Sequence, residues 1–174
     1  MLNRFCCAVT SVMLVMDVFT RRIIGFGVAP ARIDGVSVCR TFNSAISGQP
    51  LPKHLSTDND PLFRFHRWFA NLPVLEIDEI KSVPYIPVSH PFVERLIGTI
   101  RREVLDHMFI WNAVDLGRKL SEFKTYYNCS RCHQSLSGRT PLEKSGKPAP
   151  RRASLGRYDW QQHCHGLFQL PIAA

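Results

Sequence analysis

The sequence predicts a single α/β domain in which helices flank a mixed β-sheet. The chain has 174 residues, the size of one domain with a short appendage. Hydrophobic residues make up 45% and charged residues 21%, a balance typical of a folded globular protein and not of a disordered one. The apolar patterns follow the order strand, strand, helix, strand, helix, strand, helix, helix, which is typical of a sheet covered by helices.

Two dense apolar runs predict the first two strands. Residues 9–16 (VTSVMLVM) and 23–29 (IIGFGVA) have the length and composition of buried strands. The polar segment 17–22 between them predicts a turn, so the two strands are expected to form a hairpin.

The middle of the chain alternates between predicted helices and strands. Asp34 is expected to cap a helix that runs to about residue 47, and residues 54–57 form a brief strand. Pro61 suits the first position of a short helix, which Pro73 is expected to end. Residues 74–83 alternate partly between apolar and polar side chains and predict another strand.

Two longer helices are predicted after a stiff loop. Three prolines within residues 84–91 exclude a regular element there. A helix is expected over residues 91–106, and Asp115 is expected to cap the next one. Regular patterning ends after Asn128, so we divide the chain into a core at 1–143 and a basic C-terminal tail at 144–174.

The charge balance favours a nucleic acid as partner. Lys and Arg exceed Asp and Glu by eight, and residues 128–174 hold seven basic side chains against two acidic ones. An excess of this kind attracts polyanions, DNA first among them. No apolar run is long enough to span a bilayer, so no membrane span is expected. A small-molecule substrate is not expected either. Six cysteines could form disulfides in a secreted protein, but the chain is long enough to fold without them and no cleavage site follows its N-terminus, which favours a reduced, cytoplasmic protein.

Two carboxylates in this basic chain are the main candidates for chemistry. Asp58 follows a predicted strand, and Glu94 lies in the first turn of a predicted helix, with thirty-five residues between them. A strand end and a helix start can converge on one point, and paired carboxylates suit Mg²⁺ or Mn²⁺. The same residues also suit structural roles, because Asp favours turns and Glu favours the positive end of a helix.

Four segments of the chain resemble, in order, the motifs of one family. They are residues 15–25 (VMDVFTRRIIG), 56–63 (STDNDPLF), 89–103 (SHPFVERLIGTIRRE) and 127–143 (YNCSRCHQSLSGRTPLE). They resemble the second-strand motif, the SDNGxxF motif, the glutamate helix and the closing YNxxRxHxxLxxxTPxE motif of insertion-sequence transposases and retroviral integrases. These are the DDE recombinases, which have an RNase H-like fold. The resemblance covers about residues 12–143.

The resemblance implies a catalytic role for the two carboxylates. Asp58 matches the second metal-binding carboxylate of the family, and Glu94 matches the third. It further implies Mg²⁺-dependent (or Mn²⁺-dependent) phosphodiester strand transfer on DNA, carried out by a homo-oligomer. Residues 84–91 match the mobile loop beside the family's site.

Basic residues are expected to hold the DNA. Arg101 lies seven residues after Glu94, and therefore two helical turns along the same face. It matches the family's basic residue that contacts the DNA end, and Arg102 follows it. Arg151 and Arg152 could track phosphates from the tail. Arg131 and His133 belong to the closing motif, where we expect them to position other groups.

Two departures from the family pattern lower the expected activity. Asp60 stands where the family has glycine, so Asp60 could share the role of Asp58. The family's first aspartate precedes the position of Asp17 by more residues than this chain has, and Asn3 is the one nearby residue that could stand in its place. We therefore expect the chain to lack the first strand and one metal ligand. Such a truncated remnant would be weakly active or inactive.

Two other functions remain open at this point. The chain could be a DNA-binding remnant without catalysis. It could also be a metal-binding module, built on Cys129, Cys132, Cys164 and either His163 or His165, which offer four ligands of the kind zinc prefers. Residues 129–133 (CSRCH) also match the haem-attachment pattern, although haem attachment would require export.

Overall fold

The predicted α/β class is confirmed in the computed structural model of the chain. The structure describes residues 2–7, 10–30, 34–58, 60–81, 91–148, 153–154 and 156–174, and of residues 3–7 and 81 the backbone only. The strands are β1 (Leu2–Cys7), β2 (Thr10–Met16), β3 (Ile23–Pro30), β4 (His54–Thr57), β5 (Asp78–Lys81), β6 (Tyr158–His163) and β7 (Phe168–Ala173). The helices are α1 (Gly35–Ile46), α2 (His66–Val74), α3 (Pro91–Glu103), α4 (Ala113–Cys129) and α5 (Pro141–Lys144).

Five strands form the main sheet, in the order β3-β2-β1-β4-β5. The first three pair antiparallel, whereas β4 pairs parallel with both β1 and β5. Strand β1 therefore lies at the centre of the sheet, and the expectation that the first strand is missing is wrong. The reason is a short connection: β1 ends at Cys7 and β2 begins at Thr10, so both strands fit before Asp17.

Strand β2 divides the interior into two apolar clusters, one on each face of the sheet. All seven of its residues are buried, which explains why its sequence reads as a continuous apolar run. Val12 and Leu14 join the cluster under α3 and α4, whereas Met13 and Val15 join the cluster under α1 and α2. The sheet is thus covered on both faces.

Most predicted elements are confirmed, but three helix boundaries differ. Asp34 caps α1 by accepting the N–H of Ser37 at 2.8 Å, as expected. The predicted helix after Pro61 is split at Phe65 into a 3-10 turn and α2, which continues through Pro73 to Val74. Asn112 caps α4, since its side chain accepts the N–H of Asp115 at 2.9 Å.

Asp115 has a different role from the predicted cap. Its carboxylate binds the ammonium group of Lys119 at 2.7 Å and the guanidinium of Arg118 at 3.1 Å, one turn further along α4. The hydrogen bond from Lys119 is the main reason why the pKa of Asp115 is lowered to about 2.

The C-terminal segment contains a hairpin that the sequence pattern did not predict. Strands β6 and β7 pair antiparallel, and Phe168 stacks on Tyr126 of α4 with ring centroids 4.2 Å apart. Buried Cys164 in the connecting turn joins the cluster under α3 and α4. The hairpin escaped prediction because its strands are mostly exposed, so they lack a clear apolar alternation.

The glycines of β3 allow α1 to pack directly against the strand backbone. A Cβ atom at Gly25 would overlap the carbonyl oxygen of Ala45, and one at Gly27 would overlap that of Thr41. Gly117 on α4 differs, because a Cβ atom there would meet only the Val28 side chain at an ordinary 3.8 Å.

We predict opposite effects for alanine at Gly25 and at Gly117. Gly25→Ala forces α1 away from β3 and should lower the free energy of unfolding by about 2–3 kcal/mol. Gly117→Ala removes a flexible residue from a helix interior and should raise it by about 0.5–1 kcal/mol. Urea unfolding followed by circular dichroism measures both, and equal effects of the two variants would contradict the described packing of α1.

Candidate functional site

Asp58 is the first residue after β4, the strand next to the central strand β1. Thr57, the last residue of β4, pairs with Leu2 of β1, and both residues are buried. The Thr57 hydroxyl donates to Oε1 of Glu79 at 2.8 Å, and the indole N–H of Trp68 donates to the same oxygen at 3.2 Å. These bonds hold the end of β4, and therefore the start of the segment that carries Asp58.

Asp60 has a structural role beside Asp58. Its Oδ1 accepts the N–H of Leu62 at 2.9 Å and so caps the 3-10 turn that begins at Pro61. Its own N–H donates to Oδ1 of Asp58 at 3.2 Å. Each of the two carboxylates thus accepts one backbone N–H through its Oδ1, and Asp60 in addition caps the turn.

Glu94 lies on the exposed side of the first turn of α3. The buried face of this helix contains Val93, Leu96, Ile97 and Ile100. Packing of this face against the sheet leaves the Glu94 side chain exposed, as the sequence predicted. Helix α3 also contacts β1, the strand that pairs with β4. The strand that precedes Asp58 and the helix that contains Glu94 therefore both contact the same central strand, β1.

The register places Asn3 at this same point of the sheet. Asn3 follows Leu2 in β1 as Asp58 follows Thr57 at the end of β4, so each is the next residue after the Leu2–Thr57 pair. Asn3 also pairs with Leu14, which faces α3 and α4. Neither β1 nor β2 contains an aspartate or glutamate. The strand that the sequence analysis missed is therefore present, and its residue beside Asp58 is an asparagine.

The candidate site has the kind of donor atoms that a divalent cation prefers, but few of them. Carboxylate oxygens are the ligands that Mg²⁺ and Mn²⁺ prefer. Among the residues that the structure describes, however, no three His, Cys, Asp or Glu side chains form a group able to hold a metal. Two carboxylates, Asp58 and Glu94, are thus the candidate ligands.

The predicted DNA-binding residues divide into two groups. Arg101 and Arg102 lie near the end of α3, where both side chains are exposed. Arg151 and Arg152 lie outside the described residues, as do residues 84–90 of the predicted loop. The roles of all four arginines remain predictions.

Asp17 forms a turn and does not belong to the site. Its carboxylate accepts the hydroxyl of Thr20 at 2.5 Å and the N–H of Phe19 at 3.0 Å. These bonds shape the connection between β2 and β3. The interpretation of Asp17 as the aspartate after the second strand agrees with this position.

The closing motif anchors the end of α4 to the sheet and to α3. Asn128 bonds the backbone of Ile23 twice, accepting its N–H and donating to its carbonyl, both at 2.9 Å. Arg131 forms a two-point ion pair with Glu103 at the end of α3, with one distance of 2.8 Å. The pair links the last residue of α3, the helix that contains Glu94, to the segment after α4, and the positioning role of Arg131 stays a prediction. Sequence spacing alone could not match Arg131 with Glu103.

The rest of the motif shapes the turn after α4. His133 packs on the ring of Tyr127, with centroids 4.7 Å apart. Thr140 and Glu143 form a reciprocal capping box at the start of α5, in which Pro141 takes the first helical position. These contacts give His133, Thr140 and Glu143 structural roles in the turn.

The cysteine-rich alternative gains no support. Cys129, Cys132 and His163 line one cleft, and Cys164 is buried nearby in the hairpin turn. These residues lie within the described part of the chain, which contains no three-ligand group. In the same part of the chain, no helix is both long enough and apolar enough to cross a bilayer.

Comparison with known proteins supports the predicted fold and family resemblance. The model of the integrase core domain family matches residues 76–141, a range that includes Glu94 and most of the closing motif. The predicted resemblance to integrase and transposase cores is confirmed. An uncharacterised 39.2 kDa protein of insertion element IS476 from Xanthomonas euvesicatoria is 28% identical over 127 residues. That alignment covers 73% of this chain and 36% of the relative, so the chain spans about a third of the relative's length.

Solved integrases share the fold. The catalytic core domain of BIV integrase superposes with a TM-score of 0.61 at 20% identity, covering 82% of this chain and 89% of that one. A chain of the simian T-cell lymphotropic virus intasome, solved with the PP2A regulatory subunit B56 gamma, gives 0.64 at 18% identity, covering 91% and 59%. The fold is therefore that of integrase catalytic cores, which confirms the RNase H-like prediction.

We predict that His133 makes stability depend on pH. Burial, assisted by the charge of Arg131, lowers the pKa of His133 from 6.5 to about 4, so the folded protein favours the neutral ring. The unfolded chain binds the proton more readily between these two values. Stability should therefore be complete above pH 6.5 and fall as the pH approaches 4, by on the order of 1–2 kcal/mol.

A comparison of variants isolates this contribution from that of the carboxylates. In urea titrations at several pH values, His133→Gln should flatten the stability profile between pH 4 and 6.5. The control His107→Gln, at an exposed position, should have the same stability profile as the parent protein. A profile unchanged by His133→Gln would contradict the burial of a neutral ring.

Proposed function

We propose that the chain is the catalytic core of a DNA-integrating transposase or integrase. The observation that carries the proposal is that β4, which ends just before Asp58, and α3, which contains Glu94, both contact the central strand β1. The integrase core match and the shared fold support it. In this proposal residues 1–143 are the core, residues 144–174 are its basic C-terminal appendage, and the protein works in the cytoplasm as a homo-oligomer.

The reaction would be strand transfer at a phosphodiester of DNA. Asp58 and Glu94 would hold Mg²⁺ or Mn²⁺, which when bound supplies positive charge at the reacting phosphate. Water and then a DNA 3′-hydroxyl would attack in line with the departing oxygen. Arg101, on the Glu94 face of α3, and Arg102 would hold the DNA backbone, together with Arg151 and Arg152.

Asparagine at position 3 predicts weak activity. The amide has the shape of a carboxylate but lacks its negative charge, so it is a poorer ligand for a divalent cation. Loss of one well-placed charged group typically costs about 10²–10³ in rate. We therefore propose a core whose metal site is incomplete because of one side chain, and not because of a missing strand.

A second candidate function follows from the same observation. A core with two carboxylates and an exposed basic helix could bind duplex DNA without cutting it. The sequence analysis left this alternative open, and the amide at position 3 favours it. Binding and nicking must therefore be measured separately.

We predict that Asn3→Asp raises Mg²⁺-dependent nicking of supercoiled plasmid DNA by about 10²-fold, because it supplies the third carboxylate. The double variant Asn3→Asp with Glu94→Gln should lose this gain, and chelation by EDTA should abolish it. Asn43→Asp, which adds the same charge to α1 on the opposite face of the sheet, is the matched control and should change nothing.

The outcomes separate the two candidate functions. DNA binding by every variant, with no nicking by any of them, would refute the enzyme and support the non-catalytic candidate. Equal nicking by Asn3→Asp and by the double variant would show that the cutting does not use Glu94.

A further inference from the structure

A basic cleft lies beside the candidate site, between the β2–β3 turn, α3 and the end of α4. Its volume is about 390 Å³. The polar side chains that line it include Arg21, Arg95, Thr99, Arg131, His133 and Ser135. Sequence analysis attached no function to Arg21 or Arg95, because they lie far apart in the chain and belong to different motifs.

The cleft has more positive charge than its own side chains neutralise. Arg131 is paired with Glu103, and the negative charge of Asp17 acts on Arg21 from outside the cleft, while none of the described residues that line the cleft is acidic. The guanidinium carbon of Arg21 lies over the ring of Phe92, 3.1 Å from its centroid. Burial lowers the pKa of Arg21, and the nearby charge of Arg95 acts in the same direction. Two like charges are therefore held close together.

Some buried polar atoms in the wall of the cleft have no hydrogen-bond partner among the residues that the structure describes. They are Nε and Nη1 of Arg21 and Nε2 of His133. Native proteins satisfy most buried polar atoms, and an unpaired buried atom costs free energy. The backbone of Arg21 is also in the left-handed region, with φ of 63°, although the residue is not glycine. The turn thus holds Arg21 in this position at an energetic cost, which suggests a ligand as compensation.

The cleft borders the stripe of α3 that follows Glu94. Arg95 is the next residue after Glu94, and Thr99 and Arg102 lie on the same face of the helix as Arg95, four and seven residues on. Glu94 and Arg101 form the neighbouring stripe. A chain of phosphates that passes Glu94 would therefore pass the mouth of this cleft as well.

We propose that the cleft bounded by Arg21, Arg95 and Thr99 binds a phosphate group, and that this group is a backbone phosphodiester of the DNA strand beside the reacting one. The second half of this statement rests on the proposed function. The guanidinium groups and the hydroxyls of Thr99 and Ser135 are donors that suit phosphate oxygens. Placement of one phosphate here would fix the register of the strand against Glu94 without reading its sequence.

The first experiment tests the phosphate site without DNA. Thermal unfolding is compared in sodium phosphate and in sodium chloride of equal ionic strength. Phosphate should raise the melting temperature of the parent chain by about 2–4 °C, a shift typical of a bound ligand in a domain of this length. Arg95→Gln, at an exposed position, should remove the shift, and so should Arg21→Gln. Arg40→Gln, exposed on α1 across the sheet, is the matched control and should keep it.

The second experiment tests the source of the phosphate. The salt dependence of duplex DNA binding is measured for the same four proteins. The slope of log affinity against log salt should decrease by about 1 in Arg95→Gln and in Arg21→Gln, and remain unchanged in Arg40→Gln.

Failure of the inference is distinct from failure of the proposed function. If DNA binds but phosphate stabilises none of the proteins and no slope changes, the cleft is not a phosphate site and the proposed function stands. If phosphate stabilises the parent chain through Arg95 but DNA does not bind, the site takes free phosphate and the proposed function is wrong. Should Arg21→Gln unfold, Arg95→Gln decides both experiments.

Discussion

The parallel pairing of β1 with β4 is the contact on which the candidate site depends. Leu2 and Thr57 are buried opposite each other, and the chain leaves the sheet immediately after Thr57. Because β1 also contacts α3, the strand that ends before Asp58 and the helix that contains Glu94 share one central neighbour. The geometry of the candidate site therefore depends on the stability of the central strand.

Helix α3 has one face buried in the core and one exposed face that contains the candidate functional residues. Its apolar side is buried in the core, while Glu94 and Arg101 share one exposed stripe and Arg95 and Arg102 share the next. At its C-terminal end, the ion pair between Glu103 and Arg131 ties the helix to α4. Rotation of α3 would break this ion pair and expose apolar residues, so the packing holds the acidic and basic stripes at defined angles to the sheet.

Sequence patterns predicted the elements that bury a clear apolar face. They failed for elements whose residues show no clear apolar pattern. Strands β2 and β3 were predicted from dense apolar runs, and helix α1 from its helical apolar spacing and the Asp34 cap. Strand β1 was missed because it lies closer to Asp17 than the family spacing led us to expect. The hairpin β6–β7 was missed because its contact with α4 depends mainly on Phe168 and Cys164. The basic cleft could not be predicted, because Arg21 and Arg95 are far apart in the sequence and only the tertiary fold brings them close together.

The central claim is that Asp58 and Glu94 lie close enough to share one divalent cation. Crystals of the Asn3→Asp variant soaked in Mn²⁺ would test it most directly through the anomalous scattering of the metal. The account predicts a manganese peak within coordination distance of carboxylate oxygens from Asp58 and Glu94. A site without manganese at saturating concentration, or one bound by Asp58 and Asp60 with Glu94 turned away, would contradict it.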